Sequence, residues 1–352
     1  MRSKIVAEDL AHIVEDFDLP WSELAGKTIL VTGASGMLPA YMVETLLYLN
    51  EKDDRTKTKV IGLARNKERA LARFAHYKNR DDLELLIQDV CDIVSIETKI
   101  DYIVHAASQA SPKYYGNDPV GTLSPNVLGT HNLLSLARHK RTRGFLFFSS
   151  GAVYGQVRPK TLIKEDAYGY IDPLDPSSCY AESKRMGETM CASWFRQYGV
   201  PAKIVRPFHT YGPGMRLDDG RVFADFVADI VQNRDIVIRG SGSAVRSFCY
   251  LSDAVAGFFT VLLKGKPGEA YNVGNDQTEI SIRSLAELLV ALFPEKGLEV
   301  RLEERSASIE YQETPTVRAC PDISKIRGLG WKPEISLEQG FLRTTRSYCE
   351  PS

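Results

Sequence analysis

Six short apolar runs recur through the first 206 residues, most of them separated by stretches with helical spacing. They are Thr28–Thr32, Lys59–Ala64, Leu83–Gln88, Asp101–Ala107, Phe145–Ser150 and Ala202–Arg206. Met37–Asn50, Lys67–Tyr77 and Val120–His139 carry helical spacing between them. A further helix opens at Asp175-Pro176, with aspartate as N-cap and proline in the first turn, and runs to about Tyr198. Strands that alternate with helices must pair in parallel, because each helix carries the chain back across the sheet. The expected fold class is therefore α/β, a doubly wound parallel sheet of the Rossmann kind.

Two segments fall outside this rhythm. Residues 1–25 precede the first strand. Ile5, Val6, Leu10, Ile13, Val14 and Phe17 mark an amphipathic helix there, expected to dock on the body of its own chain. After Arg206 come the loop segments Tyr211-Gly212-Pro213-Gly214 and Leu217-Asp218-Asp219-Gly220. A helix at Val222–Val231, a strand at Ile236–Arg239 and a turn at 240–243 follow. Asp253–Lys264 is apolar enough to pack back on the sheet. Tyr271–Gly274, Ser284–Phe293 and Leu298–Glu303 complete a smaller C-terminal lobe that binds substrate. The expected division is a helical extension at 1–25 and a nucleotide-binding domain at 26–206 with 247–264 packed against it. The substrate lobe takes 207–246 and 265–345. A cleft between the lobes, outside the carboxyl ends of the strands, is the expected ligand site.

Composition narrows the partners. The chain has 352 residues, 43% apolar and 25% charged, as a packed globule requires. A net charge of −1 argues against general attraction to nucleic acid. No apolar run approaches the roughly 18 residues of a membrane span, and the acids at Glu8 and Asp9 do not suit a signal peptide. The six cysteines are scattered without a close pair, so neither a disulfide framework nor a metal site is expected. Free thiols suit a cytoplasmic location.

The first run ends in Thr32-Gly33-Ala34-Ser35-Gly36 and leads into a helix. Glycine lets backbone N–H groups approach a pyrophosphate, and a helix N-terminus favours the anion. Pro39 stands where a third glycine would complete the dinucleotide fingerprint. Proline is tolerated in a first turn but limits close packing. The second strand ends in Gly62-Leu63-Ala64-Arg65-Asn66, without the acid that bonds an adenosine ribose. Arg65 either meets a 2′-phosphate, which would suit NADP, or is a solvated loop arginine. Asp89 either accepts from the adenine amino group or caps its own turn. Further on, Tyr180 and Lys184 are four residues apart and share one helix face. An ammonium beside a phenol lowers the phenol's pKa, so Tyr180 is expected to act as a general base near neutral pH.

These motifs combine with His105-Ala106-Ala107, Ser149-Ser150-x-x-Val153-Tyr154-Gly155 and Arg206-Pro207-Phe208-x-Thr210-Tyr211-Gly212-Pro213. Together they resemble the extended short-chain dehydrogenase/reductases, the NAD-dependent nucleotide-sugar epimerases, dehydratases and decarboxylases. The resemblance covers about residues 26–342. It implies that Tyr180 takes a proton from a sugar hydroxyl, that Lys184 bonds the nicotinamide ribose, and that Ser150 bonds the reacting oxygen. It places Gly33, Ser35, Gly36, Met37, Arg65, Asp89, Val90, Ala106, Ala107, Lys184 and Pro207 along the cofactor, NAD or NADP. It assigns Ser150, His209, Arg221, Arg246 and Arg318 to a nucleotide-diphosphate sugar, with UDP favoured. His105 reads as structural. The resemblance also implies a homodimer built on Val120–His139 and Pro176–Tyr198.

Several stretches resemble UDP-glucuronate decarboxylases: Ala110-Ser111-Pro112, Asn117-Asp118-Pro119-Val120, Asp219-Gly220-Arg221-Val222, Pro321-Asp322-Ile323 and Gly330-Trp331-Lys332-Pro333. The active-site strand departs from them. Decarboxylases carry glutamate two residues before the tyrosine of Val-Tyr-Gly, where this chain has Ala152. Dehydratases carry an Asp-Glu pair, where this chain has Gly151-Ala152. His209 replaces the asparagine usual in Arg-x-Phe-Asn. An uncharged pair suits epimerisation at the sugar C4 through a transient 4-ketone, which needs a base, a hydride carrier and room. That is the leading expectation. Decarboxylation or 4,6-dehydration through the same ketone is the alternative, with Glu165, Asp166 or His209 as sources of a missing acid. A stand-alone NADPH-dependent ketosugar reductase is the third reading.

Overall fold

The computed structural model describes residues 3–53, 57–157, 162–303 and 318–349. In chain order its strands are β1 (Thr28–Thr32), β2 (Lys59–Ala64), β3 (Leu83–Ile87), β4 (Tyr102–His105), β5 (Gly144–Phe148), β6 (Ala202–Pro207), β7 (His209–Tyr211), β8 (Ile236–Arg239), β9 (Val245–Tyr250), β10 (Ala270–Val273), β11 (Glu279–Ser281), β12 (Val300–Glu303) and β13 (Arg318–Ala319). Its α-helices are α1 (Lys4–Glu15), α2 (Met37–Lys52), α3 (Lys67–Arg73), α4 (Pro119–Ser124), α5 (Thr130–Lys140), α6 (Cys179–Tyr198), α7 (Val222–Val231), α8 (Leu251–Lys264), α9 (Ile282–Ala291), α10 (Ser324–Arg327) and α11 (Leu337–Cys349).

The large sheet has seven strands in the order β10-β6-β5-β4-β1-β2-β3, all paired in parallel. Parallel strands buried on both faces read as continuous apolar runs. Gly144-Phe145-Leu146-Phe147-Phe148 is buried throughout. Each fully buried phenylalanine there contributes about 1.5–3 kcal/mol through lost contact with water. One apolar core joins α1, α2 and α8 to the sheet, and a second lies under α5 and α6. The doubly wound α/β expectation therefore holds. The expected division differs at two points: β10 lies in the residues assigned to the smaller lobe, yet it forms the edge of the large sheet beside β6, and 247–250, assigned to the nucleotide-binding domain, lie in β9 of the smaller lobe's sheet. Part of the expected lobe, 304–317, lies outside the described residues.

The helix expected over Val120–His139 spans Pro119–Lys140, but it is interrupted by a π-helical stretch at Pro125–Gly129. Pro125 has no N–H to donate and its ring crowds the preceding turn, so the ladder widens there. The smaller lobe holds β11-β9-β13, with β7 joined to β9, and the separate parallel pair β8–β12. Its core gathers Phe223, Phe226, Phe248, Leu285 and Phe341. No helix among the described residues is long and apolar enough to cross a membrane, and all six cysteines are free thiols.

Helix α1 docks on α2 and α8, as its apolar stripe implies. Two polar contacts lock it in place. Asp9 accepts from Tyr41 at 3.1 Å, Tyr250 at 2.9 Å and Arg343 at 2.7 Å. His12 lies 2.7 Å from Asp16 and 3.1 Å from Asp253. Burial opposes protonation of His12, but its bonds to Asp253 and Asp16 outweigh burial and raise its pKa from 6.5 to about 9. A raised histidine stabilises the fold fully below its unfolded pKa near 6.5, and that contribution is lost as pH rises through its folded value. The melting temperature is accordingly expected to fall between pH 6.5 and 9. His12→Asn should flatten that slope, and an unchanged slope in the variant would remove His12 as its cause.

Candidate active site

The order of the large sheet reverses between β1 and β4, which opens a crevice at their carboxyl ends. Gly33 follows β1 with φ +67°, and a Cβ there would sit 2.8 Å from Ala107 Cα. Only glycine allows so close an approach with that backbone. Thr32 Oγ1 accepts from the Ala106 and Ala107 N–H groups at 3.2 Å each, and it lies 2.9 Å from His105 Nδ1. His105 Nε2 lies 3.2 Å from the Pro125 carbonyl and 3.1 Å from Thr130 Oγ1. A carbonyl can only accept, so Nε2 carries the proton and Thr32 donates to Nδ1. Burial, with help from the Lys184 charge, holds the His105 pKa down at about 3. A neutral bridging imidazole is a structural group, as expected from sequence.

Gly36 is the N-cap of α2, and no side chain caps that end. Pro39 is buried in the first turn, where a missing N–H costs nothing. Close glycine approach and an uncapped helix end together fit a pyrophosphate. Gly33, Ser35, Gly36, Met37, Ala106 and Ala107 would hold it. At the ends of β2 and β3, Arg65 lies 3.6 Å from Asp89 and keeps a largely exposed side chain. Asp89 also accepts from Cys91 N–H at 2.9 Å, so it caps its own turn. Val90 is buried next to it.

Helix α6 carries Tyr180 and Lys184 on its buried face, as the four-residue spacing requires. Their relation differs from the expectation. Lys184 Nζ donates to the Phe148 carbonyl at 2.6 Å and stands 5.7 Å from the centre of the Tyr180 ring. Burial pushes the Tyr180 pKa above its usual value, against a hydrogen bond from Ser150 and the charge of Arg221. The phenol is therefore protonated at neutral pH, and the expected lowering by Lys184 is not found. Burial is the physical reason: it penalises both charged forms, and it brings Lys184 down to about 7 even with Glu188 nearby. Ser150, expected to bond the reacting oxygen, hydrogen-bonds Tyr180 and also accepts from Ala152 N–H at 3.1 Å. Pro207 ends β6, and the next residue, Phe208, packs under Gly151 at 3.4 Å from where its Cβ would be.

The smaller lobe supplies the cations. Arg221, the N-cap of α7, is held by Asp219, with Nε at 2.7 Å. Arg246 on β9 donates to the Val245 carbonyl at 2.8 Å. His209 on β7 pairs in register with Phe248, and the charges of Arg246 and Arg221 both act on it. Arg318 on β13 is bound by Glu279, with Nη2 at 2.8 Å. Glu165 and Asp166 are the two carboxylates expected as sources of a missing acid. Glu165 Oε1 accepts from Asn272 N–H at 2.9 Å, and Asp166 is exposed.

Sequence reasoning missed two groups. The Tyr115 ring stacks on Tyr180, with centroids 4.9 Å apart and planes 11° from parallel. Glu188 accepts from Ser149 Oγ at 2.5 Å and from Arg206 at 2.8 and 2.6 Å. Glu188 lies four residues beyond Lys184, so the spacing that found Lys184 also pointed to it. Tyr115 lies on a loop, and only the tertiary fold brings it to α6.

The sequence model of the NAD dependent epimerase/dehydratase family matches residues 29–274. UDP-glucuronic acid decarboxylase 1 of Xenopus tropicalis is 35% identical over 326 residues, covering 92% of this chain and 72% of that protein. UDP-glucuronic acid decarboxylase 6 of Arabidopsis thaliana is 35% identical over 315 residues, covering 89% of this chain and 86% of that one. Among solved structures, the UDP-glucose 4-epimerase of Thermotoga maritima, with UDP-glucose, superposes with a TM-score of 0.78 at 23% identity. That match covers 92% of this chain and 98% of the epimerase, and at such identity it bears on the fold alone.

Proposed function

We propose, for a chain that belongs to the NAD-dependent epimerase/dehydratase family, that it decarboxylates a UDP-hexuronic acid through a transient 4-keto sugar. The observation that carries this is the half-buried Ser150, just past the carboxyl end of β5, hydrogen-bonded to the buried Tyr180. NAD, when bound, accepts a hydride from the sugar C4 and returns it. All else falls to the chain. With the positive nicotinamide ring bound beside it Tyr180 would ionise, and its phenolate takes the hydroxyl proton and gives it back while Ser150 holds the reacting oxygen by hydrogen bonding. Lys184 bonds the nicotinamide ribose. Arg221, Arg246 and Arg318 hold the diphosphate, and His209 faces it.

Sequence reasoning put C4 epimerisation first. The family relatives at 35% identity favour the alternative. Ala152 is no bar to it, because a β-keto acid loses its carboxylate without an added acid. The carbon–carbon electron pair moves to the C4 oxygen, where Tyr180 and Ser150 stabilise the developing charge, CO₂ leaves, and C5 takes a proton from water to restore the ketone before it is reduced. Dehydration is less well supported, since it needs an acid and a base while Glu165 is committed to Asn272. Epimerisation remains the second reading, favoured by the uncharged Gly151-Ala152 turn. NAD is preferred to NADP because Asp89 beside Arg65 would repel a 2′-phosphate. A homodimer is part of the proposal, supported by exposed Val120, Leu128 and Met186 on the helices expected to pair.

The test is incubation with NAD and UDP-glucuronate labelled with ¹³C at the carboxyl carbon, followed by NMR. One equivalent of labelled CO₂ and a UDP-pentose is the expected result. Return of the C4 epimer with its label intact would replace this reading by the second.

A further inference from the structure

His209 is a departure from the asparagine usual at its position, and the fold gives it an unusual setting. Its ring packs between Phe223, with centroids 6.4 Å apart, and Phe248, at 5.6 Å. Nδ1 is shielded from solvent and has no hydrogen-bond partner among the described residues. A buried polar atom left so costs free energy unless something else supplies the missing bond. Two guanidinium groups act on the ring from different elements, Arg246 from β9 and Arg221 from the start of α7. The residue is therefore placed where an anion is wanted, with one bonding position open.

We propose that His209 takes up a proton when the diphosphate of a nucleotide sugar docks against Arg221 and Arg246, and that the resulting imidazolium donates to a phosphate oxygen. This rests on the nucleotide-sugar reading above and adds a proton to its binding step.

Charge counting supports it. Without ligand, Arg221 and Arg246 carry two positive charges, and Asp219 cancels one. The sugar-linked diphosphate brings two negative charges. A neutral His209 leaves the assembled site one positive charge short of balance, and a protonated one closes it. Without ligand the ring is neutral: burial comes first, then Arg246 and Arg221, and together they hold its pKa at about 3 against a bond to the Ser247 backbone. A docked diphosphate removes most of that repulsion and reverses its sign. The groups facing the ring are these two arginines, with Asp219 behind Arg221. Cys320 and the Arg318–Glu279 pair lie beyond Arg246 on the same sheet. Asparagine at this position could donate to a phosphate but could not change charge.

The consequence is affinity that rises as pH falls. Each whole proton taken up changes the dissociation constant about tenfold per pH unit. The experiment is isothermal titration of the whole protein with UDP-glucose, in pairs of buffers of different ionisation enthalpy, between pH 7.5 and 5.5. Uridine, which lacks the diphosphate, serves as the control. Proton uptake with UDP-glucose should grow toward one per site as pH falls, and uridine should show none. His209→Asn should bind UDP-glucose with uptake abolished and with a flat pH dependence. Its melting temperature should stay within a few degrees of the parent, which separates loss of the proton from loss of the fold. UDP-glucose binding without uptake, or equal uptake in His209→Asn, overturns this inference and leaves the decarboxylase reading standing. Failure of UDP-glucose to bind overturns both.

Discussion

Tyr180→Phe is expected to reduce turnover of UDP-glucuronate about 10²–10⁴-fold, the usual worth of a positioned acid–base group. Cofactor binding should be nearly unchanged, because the glycine turn and α2 lie on other elements. The variant removes one oxygen and keeps the ring, so the stack on Tyr115 survives. Ser150 loses its partner but keeps its bond from Ala152 N–H. Stability should therefore change little, and a loss of turnover cannot be blamed on unfolding. Single-turnover rates and a fluorescence titration with NAD would measure the two quantities separately. Near-parental turnover in Tyr180→Phe would move the acid–base role to another group.

The second large effect lies behind the catalytic helix. Buried Arg206 and half-buried Glu188 form a two-pronged ion pair, Nε to Oε1 at 2.8 Å and Nη2 to Oε2 at 2.6 Å. Arg206 also donates to Tyr154 Oη at 2.9 Å and to the Glu165 carbonyl at 2.7 Å. Tyr154 donates in turn to Asn272 at 2.5 Å. The network joins α6 to β6, β10 and the end of β5, the elements that set Ser150 against Tyr180. Arg206→Met leaves the half-buried Glu188 carboxylate without its partner and should destabilise the fold by about 3 kcal/mol, the low end for a broken buried pair. Denaturant melts would measure it. The double variant Arg206→Met with Glu188→Met removes the stranded charge and should recover much of that loss. A single variant as stable as the parent would show that water reaches the pair.

The strand–helix rhythm and the glycine turn were legible because their signals are local. A period of two or 3.6 residues, a cap and a glycine are all readable within one segment. The spacing of Tyr180 and Lys184 was legible for the same reason. The placement of β10 was not, since four apolar residues can pair with any edge and only packing chooses one. The wide turn at Pro125 was signalled by the proline itself, yet a helical pattern on both sides concealed it.

Most of the groups at the site, Tyr115 excepted, followed from the amino-acid sequence alone, because their motifs are local. Their charge states were decided by the tertiary structure. Burial raised Tyr180, lowered Lys184 and left His209 neutral between two arginines. Protonation depends on solvation and on charges arriving from distant elements, and neither is written in the spacing of residues along a chain.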